Sequence, residues 1–316
     1  MYLKLTISMH EPIKIFGHKV PDTDATVSAI AYAWYYTHIN EQPATPYILG
    51  ELNNETRYVL DHFGVATPAI LGELSEGDRV VIVDTNNMHE LPSDMHQAEL
   101  IEIIDHHKLT GGIETSTPIT ITLRPMASTA SLIYTLLNPE LHEIPREIAG
   151  IMLAGILSDT LEFRSPTTTD EDRAIAESLA QIADTDIHTL AEGMFAAKSD
   201  ISSLSVEDLI MMDSKVFDIK GKKLRVSVIE TMSPAGALAQ TDAIKSGIAS
   251  HVSEHDDVDE VLLFVIDILN EQATPIIATD TAREILHHAF EQEINDDTIL
   301  KGVVSRKKQI IPRLEA

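Results

Sequence analysis

The sequence predicts an α/β protein: an N-terminal doubly wound domain on a mainly parallel sheet, then a smaller C-terminal α/β domain with a mixed sheet. Three observations lead there. Short apolar runs alternate with helical stretches through roughly the first 200 residues, the pattern of βαβ units. The run Val80–Val83 is continuously apolar, as in a strand covered on both faces. After Lys198 the character changes to a polar stretch and then a hairpin signal. At ~150 residues per domain, a chain of 316 residues fits one large or two medium domains. The expected division is residues 1–198, a linker over 199–204, and 205–316.

Taken in order, Ile13–Phe16 is a short apolar strand ending in Gly17, and Pro21 punctuates the loop after it. Asp24 is placed to cap a helix over 25–36, whose Trp34, Tyr35 and Tyr36 suit a core or an interface. Val80–Val83 ends at Asp84, and Leu100–Ile104, interrupted by Glu102, ends at Asp105-His106-His107. Ser128 or Thr129 opens a helix to about Leu137, and residues 146–157 are apolar at helical spacing before Ser158-Asp159-Thr160. In the second half, Val216–Ile219 and Leu224–Ile229 flank a turn at Gly221. Val261–Ile268 and Pro275–Thr279 are further strands, and 281–291 is helical. Val303-Val304 and Ile310-Ile311 suggest strand structure around the basic residues near the C-terminus.

Composition narrows the function. There is no cysteine, so disulfides, thiolate nucleophiles, zinc ribbons and iron–sulfur clusters are excluded. With 23 Lys+Arg against 50 Asp+Glu, the formal net charge is −27, and the pI is near 4.7. Such a field repels phosphate backbones and anionic bilayers. No apolar stretch reaches the ~20 residues a membrane span needs, and no secretion signal opens the chain. The expectation is a cytoplasmic protein without nucleic-acid or membrane partners, in which a small anionic substrate requires metals or a local basic patch.

The polar residues at the strand ends carry the chemistry. His18, Asp22 and Asp24 follow the first strand, Asp84 the Val80–Val83 strand, and Asp105, His106 and His107 the next. Carboxyl ends of strands line the binding crevice of open α/β sheets. Asp159 leaves a helix in the same half. Histidine and aspartate without cysteine suit Mn²⁺, Co²⁺ or Mg²⁺, and the surplus of ligands points to two ions with a bridging carboxylate. Singly, each piece has a plainer reading: Asp22-Thr23-Asp24 as a capped turn, Asp159 as a helix-end cap. Between Lys301 and Arg313 stand Lys301, Arg306, Lys307, Lys308 and Arg313 with no acid, a local reversal of sign suited to phosphate oxygens. A solvated basic tail is the competing reading there.

The ordered motifs Gly17-His18-Lys19-Val20-Pro21-Asp22-Thr23-Asp24, Asp84, Asp105-His106-His107, Ser158-Asp159-Thr160, Asp213-Ser214-Lys215 and Ser305-Arg306-Lys307-Lys308-Gln309 resemble those of family II inorganic pyrophosphatases. These are manganese-dependent members of the DHH phosphoesterase superfamily. The resemblance runs from residue 17 to residue 309, and the last motif is the most specific. It implies that His18 and Asp22 bind one metal, that Asp24, His106 and Asp159 bind the other, and that Asp84 bridges them. By the same resemblance His107, Lys215, Arg306 and Lys307 contact substrate, with Asp84, His107, Lys215 and Arg306 taking part in catalysis.

The implied cofactors are two Mn²⁺, replaceable by Co²⁺ or Mg²⁺, with a further Mg²⁺ or Mn²⁺ accompanying pyrophosphate. The implied reaction is attack on one phosphorus by a water that two metals share, under a closing DHHA2-like C-terminal domain. A homodimer through the N-terminal domain is also implied. The nearest rival is another DHH enzyme, a phosphodiesterase or nucleotide phosphatase, although the glycine-rich, histidine-containing motif such enzymes carry is missing here. A non-catalytic metal or nucleotide sensor is the rival from another class.

One position departs from the family pattern: Asp84-Thr85-Asn86 stands where Asp-His-Asn is usual, which removes an imidazole near the metals. The chain also starts about nine residues early by the family's measure, with Met9 as a possible alternative initiator. His251 and His255, four residues apart near Glu254, imitate a zinc helix but read as a solvated helix face. His287-His288 point about 100° apart on a helix and do not share an ion easily.

Overall fold

A computed structural model describes residues 11–138, 142–202, 204–254 and 258–316. Met9 and His255 lie outside the described residues, as does Ser203 of the expected linker. The chain divides into two units, the first ending at Met194 and the second running from Phe195 to Ala316.

The first unit contains β1 (Ile13–Phe16), α1 (Thr23–His38), β2 (Ala44–Ile48), α2 (Asn54–Phe63), β3 (Ala69–Ile70), β4 (Arg79–Val83), β5 (Glu99–Asp105) and β6 (Thr120–Leu123). α3 (Thr129–Leu137), α4 (Arg146–Thr160), α5 (Asp170–Ala183) and α6 (Ile187–Lys198) follow, α6 crossing the unit boundary. The sheet order is β3-β2-β1-β4-β5-β6, and every neighbouring pair is parallel. The chain therefore builds outward from β1 to one side and returns to build on the other. The reversal lies between β1 and β4, where open sheets splay their loops apart and leave a crevice. Val80–Val83 is wholly buried, as its continuous apolar run predicts. Glu102 interrupts β5 because it accepts hydrogen bonds from the Tyr32 and Tyr36 hydroxyls, at 3.0 and 2.7 Å.

Helix α1 begins earlier than its sequence suggests. Asp22, not Asp24, is the N-cap: its backbone is extended and its carboxylate accepts from Ala25 N at 2.9 Å. Asp24 lies inside the first turn, and its carboxylate faces another helix. Elements α2, β2 and β3 are absent from the reading above, since Pro46 and the polar face of α2 blur their periodicity.

The second unit contains α7 (Val206–Met211), β7 (Ser214–Ile219), β8 (Lys222–Thr231), α8 (Ala235–Leu238), α9 (Thr241–Glu254), β9 (Glu260–Asp267), β10 (Gln272–Ile276), α10 (Asp280–Phe290), β11 (Leu300–Lys301) and α11 (Ile311–Glu315). Its sheet runs β11-β10-β9-β8-β7, with β8 and β9 parallel and the other pairs antiparallel, the mixed sheet that was expected. One core packs Leu286, Phe290, Ile310 and Leu314 on Phe264, and another packs Leu209, Ile210, Ile244 and Ile248 on Leu263.

Two expectations for this unit need correction. Residues 303–311 are not a strand: the two-residue β11 is followed by a wide helical turn over 306–310 that leads into α11. Gln309 explains this, because its Oε1 accepts from Val304 N and Ser305 N at 2.8 and 2.9 Å and folds the segment back. Val303, Ile310 and Ile311 then enter one core from a turn and a helix. His251 is not on a solvated face either; it is buried and bonded through Nδ1 to Glu207 at 3.0 Å.

Candidate metal centre

The crevice between β1 and β4 gathers His18, Asp22, Asp24, Asp84, His106, His107 and Asp159 from separate loops and helices. Gly17 lets the loop after β1 lie on α1, since a Cβ there would stand 2.8 Å from that of Ala25. Asp84 leaves β4 in the left-handed region, φ +61°, which aspartate tolerates better than most side chains. Gly155 does the equivalent service for α4: a Cβ would fall 2.8 Å from Asp24 Oδ1, so its absence lets α4 and α1 meet.

The ligand atoms form overlapping triplets, each spanning less than 4.8 Å: His18, Asp22 and Asp84; Asp84, His106 and His107; Asp24, His106 and Asp159. His18 Nε2 is 3.5 Å from Asp22 Oδ2 and from Asp84 Oδ2. His106 Nε2 is 3.4 Å from Asp84 Oδ1 and 3.6 Å from Asp159 Oδ2. These separations are long for hydrogen bonds and match donor atoms that flank a common cation at ~2.1 Å. The two oxygens of Asp84 thus face different imidazoles.

Hydrogen bonds fix which ring nitrogens remain for a ligand. His106 Nδ1 donates to Met126 O at 3.0 Å, leaving Nε2 as the nitrogen that a cation would take in place of a proton. That Nε2 is buried and makes no hydrogen bond among the described residues, an orphan that a cation would satisfy. His107 Nδ1 is 2.9 Å from Asp105 Oδ1, which commits that nitrogen as the donor. The His107 side chain is half exposed, with Nε2 left for a ligand. Asp24 lies against the N-terminus of α3, accepting from Ser128 Oγ at 3.0 Å, Thr129 N at 2.6 Å and Ala130 N at 3.0 Å. Thr129 Oγ1 donates to Asp84 Oδ1 at 2.9 Å. Oxygen and imidazole donors without sulfur suit Mn²⁺ or Mg²⁺, so the residues fit the implied metals.

The proton affinities show the same excess of negative charge. Burial opposes the His18 imidazolium, but Asp22 and Asp84 outweigh it and push the pKa up to about 10. Burial likewise opposes a charged His106, and Asp84 and Asp24 raise it to about 9. Burial and the Asp84 charge lift Asp24 to about 7, while burial and the neighbouring carboxylates raise Asp159. Asp84 goes down despite its burial, because His106 and His18 favour its anion.

Lys215, Arg306 and Lys307 belong to the second unit. Arg306 donates to the backbone carbonyl of Asp213 and, at 2.8 Å, to Asp213 Oδ1, and is thereby tied to the segment entering β7 two residues before Lys215. Lys215 and Lys307 are exposed. Sequence reasoning missed Asn86, which joins Asp105 to Thr110, and the use of Ser128 and Thr129 as donors to the carboxylates. The cap signal at Ser128 was visible; its partner 104 residues away was not.

Residues 12–156 match the DHH family, N-terminal domain, and residues 192–316 match the DHHA2 domain. A manganese-dependent inorganic pyrophosphatase of Methanothrix thermoacetophila is 36% identical over 310 residues, 98% of this chain and 99% of that one. The chain belongs to the family II, manganese-dependent inorganic pyrophosphatases. A probable member from Streptococcus thermophilus is 36% identical over 96% of this chain and 97% of its own. A solved structure from Methanococcus jannaschii, assigned to family II inorganic pyrophosphatases, superposes with TM-score 0.57 at 32% identity over 96% of this chain and 98% of that one. An exopolyphosphatase-related protein of Bacteroides fragilis, 15% identical with TM-score 0.50 over 96% of this chain and 92% of that one, shares the fold. In this family context Thr85 is the local departure. Its hydroxyl donates to Glu90 Oε2 at 2.5 Å and accepts from Asn87 N at 3.1 Å, so it is spent within its own loop.

Proposed function

We propose that the protein hydrolyses inorganic pyrophosphate to two phosphates with two divalent cations, Mn²⁺ by preference. The observation that carries the reading is Asp84, one buried carboxylate whose two oxygens face two imidazoles at 3.4 and 3.5 Å. His18 and Asp22 would hold one ion, Asp24, His106 and Asp159 the other, and Asp84 would join both. The ions supply Lewis-acid chemistry, neutralising phosphoryl oxygens and making water nucleophilic near pH 7.

The chain's own groups do the rest. His107 Nε2, its ring held by Asp105, donates to a phosphate oxygen when the imidazole is protonated, the form that Asp105 favours. Lys215, Arg306 and Lys307 supply positive charge to the phosphates when the second unit closes on the first, and closure removes water that would screen them. Arg306 would then exchange part of its bond to Asp213 for a phosphate oxygen. The homodimer would form on the first unit through β6, an edge strand with Ile121 and Leu123 53% and 38% exposed.

The test is phosphate release from pyrophosphate and from a dinucleotide, each with Mn²⁺ and with Mg²⁺ alone. Rapid hydrolysis of pyrophosphate, highest with Mn²⁺, is expected. A preference for the dinucleotide would transfer the chain to the phosphodiesterase reading, and hydrolysis of neither would favour a sensor.

A further inference from the structure

Outside the cluster, Asp172 is a fully buried carboxylate surrounded by donors. Asp172, in the first turn of α5, accepts from Ala127 N through both oxygens, at 3.2 and 3.1 Å. It also accepts from Thr169 N at 2.9 Å and Thr169 Oγ1 at 2.6 Å. It forms no salt bridge with a described residue. Ala127 is the centre of a short segment in which each neighbour orients a different member of the cluster. Met126 O takes the Nδ1 proton of His106, Ser128 Oγ reaches Asp24, and Thr129 reaches both Asp24 and Asp84.

We infer that Asp172 is a positioning residue for the metal pair. It holds residues 126–130 at a fixed height over the crevice and so sets the aim of His106, Asp24 and Asp84 together. This rests on the reading of the cluster as a metal centre. The plain alternative is helix capping, because Thr169 and Asp172 form the capping box of α5. The two roles separate by residue. Thr169 bonds Asp172 but not Ala127, whereas Asp172 takes part in the cap and in the bond to Ala127. An amide would weaken the second bond, because at one of the two positions that Ala127 N contacts it would present N–H to N–H. By linkage, whatever holds the segment for the metal must in turn be held by it, so metal loading should protect the Ala127 amide.

The experiment titrates Mn²⁺ into wild type, Asp172→Asn and Thr169→Ala, reading free Mn²⁺ by electron paramagnetic resonance, a readout independent of turnover. Both variants should lose the cap and similar thermal stability. Asp172→Asn should bind Mn²⁺ about 10- to 100-fold more weakly, the range seen when the partner of a metal ligand is removed, and Thr169→Ala within about twofold of wild type. Equal affinities in the two variants would overturn the inference. Should Asp172→Asn fail to fold, hydrogen exchange of wild type decides. Peptides covering 124–131 should exchange more slowly with Mn²⁺, and unchanged exchange would overturn the assignment. Wild type that binds no Mn²⁺ brings down the metal-centre reading and this inference together. Wild type that binds it beside an unaltered Asp172→Asn brings down this inference alone.

Discussion

In the first unit Asp24, Asp84 and Asp105 are buried, and each is met by donors from other elements. In the second, Lys215 and Lys307 are exposed, and Arg306 leans on a single acid, Asp213. Buried anions without aimed donors would cost several kcal/mol each, so the acidic cluster has to be rigid. Exposed cations on long stems pay no such penalty and can be re-aimed when an anion arrives. Under the proposed function the two regions would divide the work accordingly, with fixed geometry for cations in the first unit and adjustable charge for an anion in the second.

The sharpest way to break this comparison is at Asp84. Asp84→Asn removes the charge that both imidazoles face, so metal binding and turnover should fall together. A loss of about three orders of magnitude in kcat at limiting Mn²⁺ is expected, comparable with losing a principal electrostatic group. Wild-type activity at limiting Mn²⁺ would remove the two-metal reading. On the other side, Arg306→Ala should leave Mn²⁺ affinity intact and lower kcat/KM about 100-fold, or ~3 kcal/mol for a charge-assisted phosphate contact. A basic residue with no substrate role would change kcat/KM by no more than about twofold. Equal losses of metal affinity in the two variants would erase the division of labour.

The pH dependence of metal binding sharpens the same contrast. His18 near 10, His106 near 9 and Asp24 near 7 all hold protons that compete with a cation at neutral pH. Each folded pKa lies above its ordinary value, so protonation is favoured below it and metal binding must release the proton. Mn²⁺ affinity should therefore rise between pH 6.5 and 8.5, by about tenfold per pH unit for each proton released. Calorimetry in buffers of different ionisation enthalpy counts those protons, and a flat profile would contradict the raised imidazoles. Arg306 belongs to none of the ligand triplets, so Arg306→Ala should shift the activity and leave this slope alone.

Legibility followed the same line between the regions. The end of β4 at Asp84 is visible in sequence because Val80–Val83 is one unbroken apolar run whose polar terminus stands out, and the end of β5 at Asp105-His106-His107 because Glu102 alone breaks its run. Asp22 and Asp24 were visible as a pair, yet their division of labour was not. Which one caps α1 depends on the N-terminus of α3, more than 100 residues downstream. The apolar pairs at 303–304 and 310–311 suggest a strand but carry no period, and the turn found there is decided by the Gln309 amide. Local patterns expose residues; partners distant in the chain assign them.

The smallest expected effect is at Thr85, the residue that departs from the family pattern. Its hydroxyl is bonded to Glu90 and to Asn87 N, and its side chain is buried at the edge of the cleft that His18 and His107 line. Thr85→His gives up both bonds, about 1 kcal/mol each, and places an imidazole beside the cluster. The triplets of His18, Asp22, Asp24, Asp84, His106, His107 and Asp159 keep all their donor atoms in this variant, so the reaction should survive. The added imidazole can act only through the aim and basicity of its neighbours, which alters affinity before it alters chemistry. The ratio of activation by Mn²⁺ to that by Mg²⁺ should shift a few-fold, with kcat at saturating Mn²⁺ within about threefold of wild type. Superimposable activation curves for both metals would mean that the rigid region ends before Thr85. A collapse of turnover would mean that its bond to Glu90 belongs to the site.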